Sequence, residues 1–201
     1  DKLASILSSL SEGYDFGIDL HSAQNNIEIV YCFPHSITFA NNLDVKHIIV
    51  LEDKFTGCFD EYFYFSSNKK GHSFTLELSG KTFNQSYINK WANKLYKWFE
   101  DISSSQKNKT ITNIDTWYYK SDKKYYAKFS GILIPTKNPG DQYKKNEILV
   151  KILSLNGKES LVTANQSGFV YKYPNCQVVY EGEEVVEVIE GDKYVRKWFN
   201  S

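Results

Sequence analysis

The sequence predicts an α/β unit followed by an all-β unit, and three observations carry that expectation. Short apolar runs and a long amphipathic segment fill the first hundred residues. A polar, unpatterned stretch follows at Ser103-Ser104-Ser105-Gln106-Lys107-Asn108-Lys109. Beyond it, from Ile111 to Ile189, no helical period recurs, and glycines and prolines punctuate short β-branched and aromatic runs.

In chain order, Lys2 to Leu10 places Leu3, Ile6, Leu7 and Leu10 at i, i+3, i+4 and i+7, the stripe of an amphipathic helix that Gly13 ends. Phe16-Gly17-Ile18-Asp19-Leu20 and Ile48-Ile49-Val50-Leu51 are short apolar runs between polar connections, as in strands buried in a mostly parallel sheet. Ser73-Phe74-Thr75-Leu76-Glu77-Leu78 alternates strictly and stops at Ser79-Gly80. A helix is predicted from Asn84 to Ile102, with Tyr87, Ile88, Trp91, Leu95, Trp98, Phe99 and Ile102 on one stripe. The domain boundary falls next: 1–105 as the α/β unit, 106–112 as linker, 113–190 as the β unit and 191–201 as a tail.

The β unit contains a faint internal repeat. Ser130-Gly131-Ile132-Leu133 matches Ser167-Gly168-Phe169-Val170, and Gly140-Asp141 with Glu147 to Ile152 matches Glu181-Gly182 with Glu184 to Ile189. Two halves joined by an Asn156-Gly157 hairpin, expected as a type I′ turn, predict a small sandwich with pseudo-two-fold symmetry.

Composition excludes several function classes. In 201 residues, 24 Lys+Arg balance 24 Asp+Glu, so no global field draws the chain to nucleic acid or an anionic membrane. The apolar runs fall far short of the ~18 residues of a membrane span, and 16% aromatic residues argue against disorder. Three cysteines, Cys32, Cys58 and Cys176, without CxxC spacing point away from a disulfide framework or thiolate zinc site and toward a reducing, cytoplasmic setting. No GxSxG, Walker or GxGxxG motif occurs. Methionine is absent and Arg196 is the single arginine, so carboxylate or phosphate clamping would fall to lysines or to arginines from elsewhere.

Asp19-Leu20-His21-Ser22 is the sharpest constellation. In an open α/β sheet ligands gather beyond the carboxyl ends of strands, and His21 follows one, with Asp19 on the same side to set the ring or meet a substrate donor. A neutral imidazole is the commonest metal ligand. A polar strand-end histidine bonding a carbonyl is the alternative. Glu77 is the second candidate: it faces away from Phe74, Leu76 and Leu78, and would share a crevice with His21 if the two strands run parallel. An edge strand with Glu77 in solvent is the alternative there. His35, His47 and His72 read as surface or structural residues. No HxxE occurs, and one histidine cannot hold catalytic zinc, which needs about three protein ligands.

Tyr14-Asp15-Phe16-Gly17-Ile18-Asp19-Leu20-His21-Ser22 resembles the Asp-Leu-His segment of the succinylglutamate desuccinylase/aspartoacylase family. Phe74-Thr75-Leu76-Glu77-Leu78-Ser79-Gly80 is similar to that family's glutamate-bearing strand, followed likewise by a long amphipathic helix. From 131 onward the Gly-led strands and the Gly140-Asp141 turn resemble its C-terminal domain. The resemblance implies a partial carboxypeptidase-like mixed sheet with helices, followed by a barrel-sandwich hybrid domain. It implies a zinc-dependent deacylase acting on an N-acyl amino acid or similar small amide or ester, with His21 as one zinc ligand and Glu77 as the general base. The family's His-x-x-Glu ligands and its arginines precede the Asp-Leu-His segment. Their absence here predicts that an N-terminal portion, in cis or as a second chain, supplies them, and that this chain alone is inactive. Homo-oligomerisation stays open, with no nucleic-acid or membrane partner. The alternative is a non-catalytic or carrier-type binding module, in which Lys158 beside Asn156-Gly157 would hold a biotin or lipoyl group.

Overall fold

A computed structural model describes residues 13–23, 26–51, 71–80, 84–104, 117–119 and 121–190, together with Lys2, Ser5, Ile6 and Ser9. Those four residues are helical. The remainder of the expected first helix, the linker 106–112 and the tail 191–201 lie outside the described residues.

A five-stranded sheet forms from β1 (Phe16–Ala23), β2 (Ile29–Cys32), β3 (His47–Val50), β4 (His72–Ser79) and β5 (Trp117–Tyr119), in the order β1-β4-β2-β3-β5. It is mixed: β1 runs parallel to β4, β2 antiparallel to β4, and β3 parallel to both β2 and β5. Two features depart from the sequence reading. The run Ile29–Cys32 is a central strand that the expected strand, strand, strand order lacks. Trp117–Tyr119, expected in the β unit, completes this sheet by pairing with β3. Both follow from non-local pairing, which a short apolar run does not announce.

Side-chain alternation gives the sheet two different faces. Val30, Cys32, Ile48, Val50, Phe74 and Leu76 point to one face and pack with α1 (Ile37–Asn41) and α2 (Gln85–Ser103) through Ile37, Ala40, Trp91 and Trp98. Asn84 caps α2 by accepting the Tyr87 N–H at 3.0 Å, one residue from where the sequence starts this helix. The Trp98 indole donates to the Phe39 carbonyl at 2.8 Å, so this buried ring is both packed and satisfied. On the other face, Ile29 and Ile49 meet Phe169, Tyr171 and Ile189 in a second core.

Those last three residues belong to the β unit. One of its sheets comprises β6 (Ser121–Tyr126), β8 (Gln142–Tyr143), β11 (Gly168–Lys172) and β13 (Glu184–Glu190), in the order β6-β13-β11-β8. The other comprises β7 (Gly131–Pro135), β9 (Ile148–Leu153), β10 (Glu159–Thr163) and β12 (Val178–Val179), in the order β10-β9-β7-β12. Leu133, Val150, Ile152, Val170, Val186 and Val188 fill the space between them. The internal repeat is realised as a reciprocal exchange. In one half β7 pairs with β9 and in the other β11 with β13, while the short strand of each half, β8 or β12, crosses to the other half's sheet.

The two sheets do not close into a barrel among the described residues, so the expected barrel-sandwich detail reduces here to two packed sheets. The hairpin turn also differs from expectation. Gly157 is left-handed at φ 80° and its N–H reaches the Ser154 carbonyl at 3.0 Å, but Asn156 keeps a negative φ, so the loop is a four-residue turn ending in a left-handed glycine rather than type I′.

Candidate active site

Parallel pairing of β1 with β4 makes His21 and Glu77 direct register partners, and Asp19 partners Thr75 one pleat away. The alternation that buries Phe74 and Leu76 against the helices turns Thr75 and Glu77 to the opposite face. Register then places Asp19 and His21 on that same face. His21 Nδ1 lies 3.4 Å from Glu77 Oε1, and His21 Nε2 lies 3.2 Å from Asp19 Oδ2. One imidazole is therefore held between two carboxylates at the carboxyl end of two parallel strands. β4 is interior to the sheet, so the edge-strand alternative for Glu77 does not apply.

Exposure differs sharply across the cluster. The His21 side chain is 48% exposed, whereas Glu77 is 17% exposed and its Oε2 is buried without a hydrogen-bond partner among the described residues. An unpartnered buried carboxylate oxygen is costly, and such a group is found where a water, proton or ligand completes it.

Tyrosines from both units lie on the face that carries Glu77. Tyr171 of β11 and Tyr31 of β2 are packed on this face, and the Glu77 charge acts on both phenols. Burial is the main cause, and neighbouring charges a further one, that hold each phenol well above its usual range. Asn26 clasps the two units: it bridges to Lys172, donates to the Leu78 carbonyl at 3.2 Å, and accepts from Ser79 Oγ at its own carbonyl at 3.0 Å. Deeper in the same interface Glu187 pairs with Lys172 at 2.8 Å and with Lys124 at 3.7 Å. Burial foremost, then a hydrogen bond with Asp122, pushes the Glu187 carboxyl up to about 7 against the pull of Lys172.

None of Tyr31, Tyr171, Asn26 or Glu187 stands out in the sequence. Each sits in an alternating strand or connection: the pairing of β2 with β4 brings Tyr31 beside the strand of Glu77, and the packing of the β unit on the sheet brings Tyr171 to the same face.

The other histidines are structural, and none is a free surface group. His47 stacks on Phe169 at 4.3 Å, and burial with the Lys46 charge lowers its pKa to about 4. His35 and His72 stack at 5.2 Å, and burial with the His35 charge lowers His72 to about 4. Lys158 is exposed just past the hairpin turn, its N–H held by Ser154 Oγ at 3.0 Å.

A zinc site needs about three protein ligands, and no group of three or more His, Cys, Asp or Glu able to hold a metal occurs among the described residues. The donors present fit one corner of such a site. Nε2 faces Asp19 and Nδ1 faces Glu77, so the ring is oriented by carboxylates, as histidine metal ligands are.

The architecture is thus a mixed α/β sheet whose candidate site opens on the face covered by a two-sheet β unit. It is the fold of succinylglutamate desuccinylase/aspartoacylase family proteins. A family protein from Shewanella amazonensis superimposes with TM-score 0.79 at 18% identity, over 94% of this chain and 57% of its own. A succinylglutamate desuccinylase/aspartoacylase from Rhodobacter sphaeroides gives 0.75 at 14%, over 95% and 63%. The ectoine utilization protein EutE from Ruegeria pomeroyi gives 0.75 at 14%, over 94% and 65%. The chain therefore spans about three fifths of the length of these structures. No family model and no curated protein matches the sequence. No helix among the described residues is long and apolar enough to cross a membrane.

Proposed function

We propose that this chain carries part of the active site of a zinc-dependent hydrolase that removes the acyl group from an N-acyl amino acid or a similar small amide. The observation that carries the reading is the register pairing of His21 with Glu77 on adjacent parallel strands, with Asp19 on the far side of the imidazole. In this role His21 would hold the metal while Asp19 would orient its ring, and further ligands would have to come from outside the described residues. Zinc, when bound, lowers the pKa of a water toward ~7 and polarises the scissile carbonyl. Glu77 accepts the proton of the attacking water at its carboxylate and returns it to the departing amine, which leaves neutral. The shelter supplied by Tyr31 and Tyr171 keeps bulk water off one side of that carboxylate. Specificity for a carboxylate-bearing acyl group would fall to lysines or to arginines from elsewhere, since the chain has one arginine.

The test is made on the full natural polypeptide, with any copurifying chain. Glu77→Gln keeps the shape and removes the base, so turnover of N-acyl amino acids should fall about 10²- to 10⁴-fold with zinc content retained. His21→Ala should lose zinc as well. Unchanged turnover in Glu77→Gln would overturn the assignment of the base. Stoichiometric zinc on the 201-residue chain alone would overturn the shared metal site.

A further inference from the structure

The phenol of Tyr171 has a role beyond shelter, which rests on Glu77 being the base. Tyr171 is 1% exposed and packs in one cluster with Ile29. Ile29 is the register partner of Glu77 across β2 and β4, so these two side chains stand side by side on one face. Tyr171 therefore covers the position next to the carboxylate, inside the core that joins the two units, and its contacts there need no free surface.

A phenol has one proton to give and lone pairs with which to accept. Burial and the Glu77 charge raise the Tyr171 phenol, whereas hydrogen bonds with Asn26 and Tyr31 lower it, the sign of donors to its oxygen. With donors already on that oxygen, its own proton needs an acceptor. Two side-chain oxygens at this junction, Glu77 Oε2 and Asn26 Oδ1, are buried without a partner among the described residues. A single water that accepts from Tyr171 has two protons of its own, one for each of those oxygens, and the three groups give it the partners a buried water keeps.

We propose that Tyr171 is a positioning residue for the base: through one buried water shared with Asn26 it holds Glu77 Oε2, so that Oε1 stays turned toward His21. The terminal torsion of a glutamate is otherwise free over a broad range. A carboxylate anchored at one oxygen keeps the other where the attacking water gives up its proton.

Tyr171→Phe in the full natural polypeptide removes the hydroxyl and keeps the ring. The kcat for N-acyl amino acids should fall about 10-fold with KM within about twofold, the loss of one hydrogen bond to a charged group, and zinc content should not change. In a Glu77→Gln background the same substitution should alter residual turnover by less than about twofold, because no base is left to position. Equal losses in the two backgrounds would show packing alone and overturn the inference, as would a Tyr171→Phe kcat within about twofold of wild type. If Tyr171→Phe does not fold, Tyr31→Phe reads the same network: removing one donor to Tyr171 should lower kcat about 3-fold in the wild type and leave Glu77→Gln unaffected, and equal effects overturn the inference. Unchanged turnover in Glu77→Gln alone overturns the assignment of the base, and the positioning role with it, so the two failures are told apart.

Discussion

Gly168→Ala tests whether the β unit is built by the repeat and whether that packing matters to the site. A Cβ at Gly168 would strike the Ile189 carbonyl oxygen and lie 2.7 Å from the Tyr143 hydroxyl; its repeat mate Gly131 would place one 2.6 Å from the Leu153 carbonyl oxygen. Ordinary Cβ contacts begin near 3.4 Å, and a backbone oxygen in a paired strand cannot swing aside as a side chain can. The strand must shift by about 1 Å at Gly168 and somewhat less at Gly131, which puts the cost at about 3 and 2 kcal/mol. Gly157→Ala is the control. Its Cβ meets nothing within 4 Å, and the left-handed φ of 80° alone costs about 1 kcal/mol. With a urea m-value of ~2–3 kcal/mol/M, Gly168→Ala should lower the unfolding midpoint by about 1 M or more. The order Gly168, Gly131, Gly157 is the decisive result. A Gly168→Ala midpoint within ~0.2 M of wild type, or a larger loss at Gly131, refutes the close approach of β11 to β13.

Two titratable groups at the interface between the units give opposite pH dependences. His47 is neutral when folded, with its pKa lowered to about 4. The unfolded chain takes up a proton first as pH falls below ~6.5, so its stability, about 2–3 kcal/mol, is present above that pH and lost toward pH 4. His47→Phe should flatten the urea-measured stability slope between those values, leaving the smaller share of His72, and an unchanged slope counts against the burial of His47. Glu187, pushed up to about 7, behaves oppositely: stability is present below its unfolded pKa near 4.5 and falls as pH rises toward 7. Removing its closest cation by Lys172→Met should cost about 3 kcal/mol at pH 8, where the carboxylate is ionised and buried, and distinctly less at pH 5. Equal losses at the two pH values would sink that account.

What could be read from the sequence was local. Alternation in Phe74 to Leu78 gave the correct facing of Glu77, the Trp91/Trp98 stripe gave α2, and the paired Ser-Gly motifs gave two similar β halves, though not the exchange of β8 and β12 between their sheets. Long-range pairing hid the rest. Ile29–Cys32 has the composition of a strand, but nothing within it says that it enters between β3 and β4 and reverses direction against the latter. Asn156-Gly157 fits two turn types, and only the φ of Asn156 separates them. Tyr171 reads as one member of an apolar strand until the β unit docks on the sheet.

That docking changes where the candidate site resides. β4 carries two messages in one alternation: Phe74 and Leu76 hold the strand to the helices, and Thr75 and Glu77 face the β unit. Were the α/β sheet alone, Ile29, Ile49 and His47 would share an exposed face with Glu77, and that carboxylate would be solvated like any surface glutamate. Phe169, Tyr171 and Ile189 cover those apolar neighbours, and on the same face one Glu77 oxygen is buried while His21 stays half exposed beside it. A carboxylate dry on one side and an imidazole open on the other is the asymmetry a general base beside a metal ligand needs. The β unit therefore shapes the environment of Glu77, although every polar side chain read from the sequence as catalytic lies on the other unit.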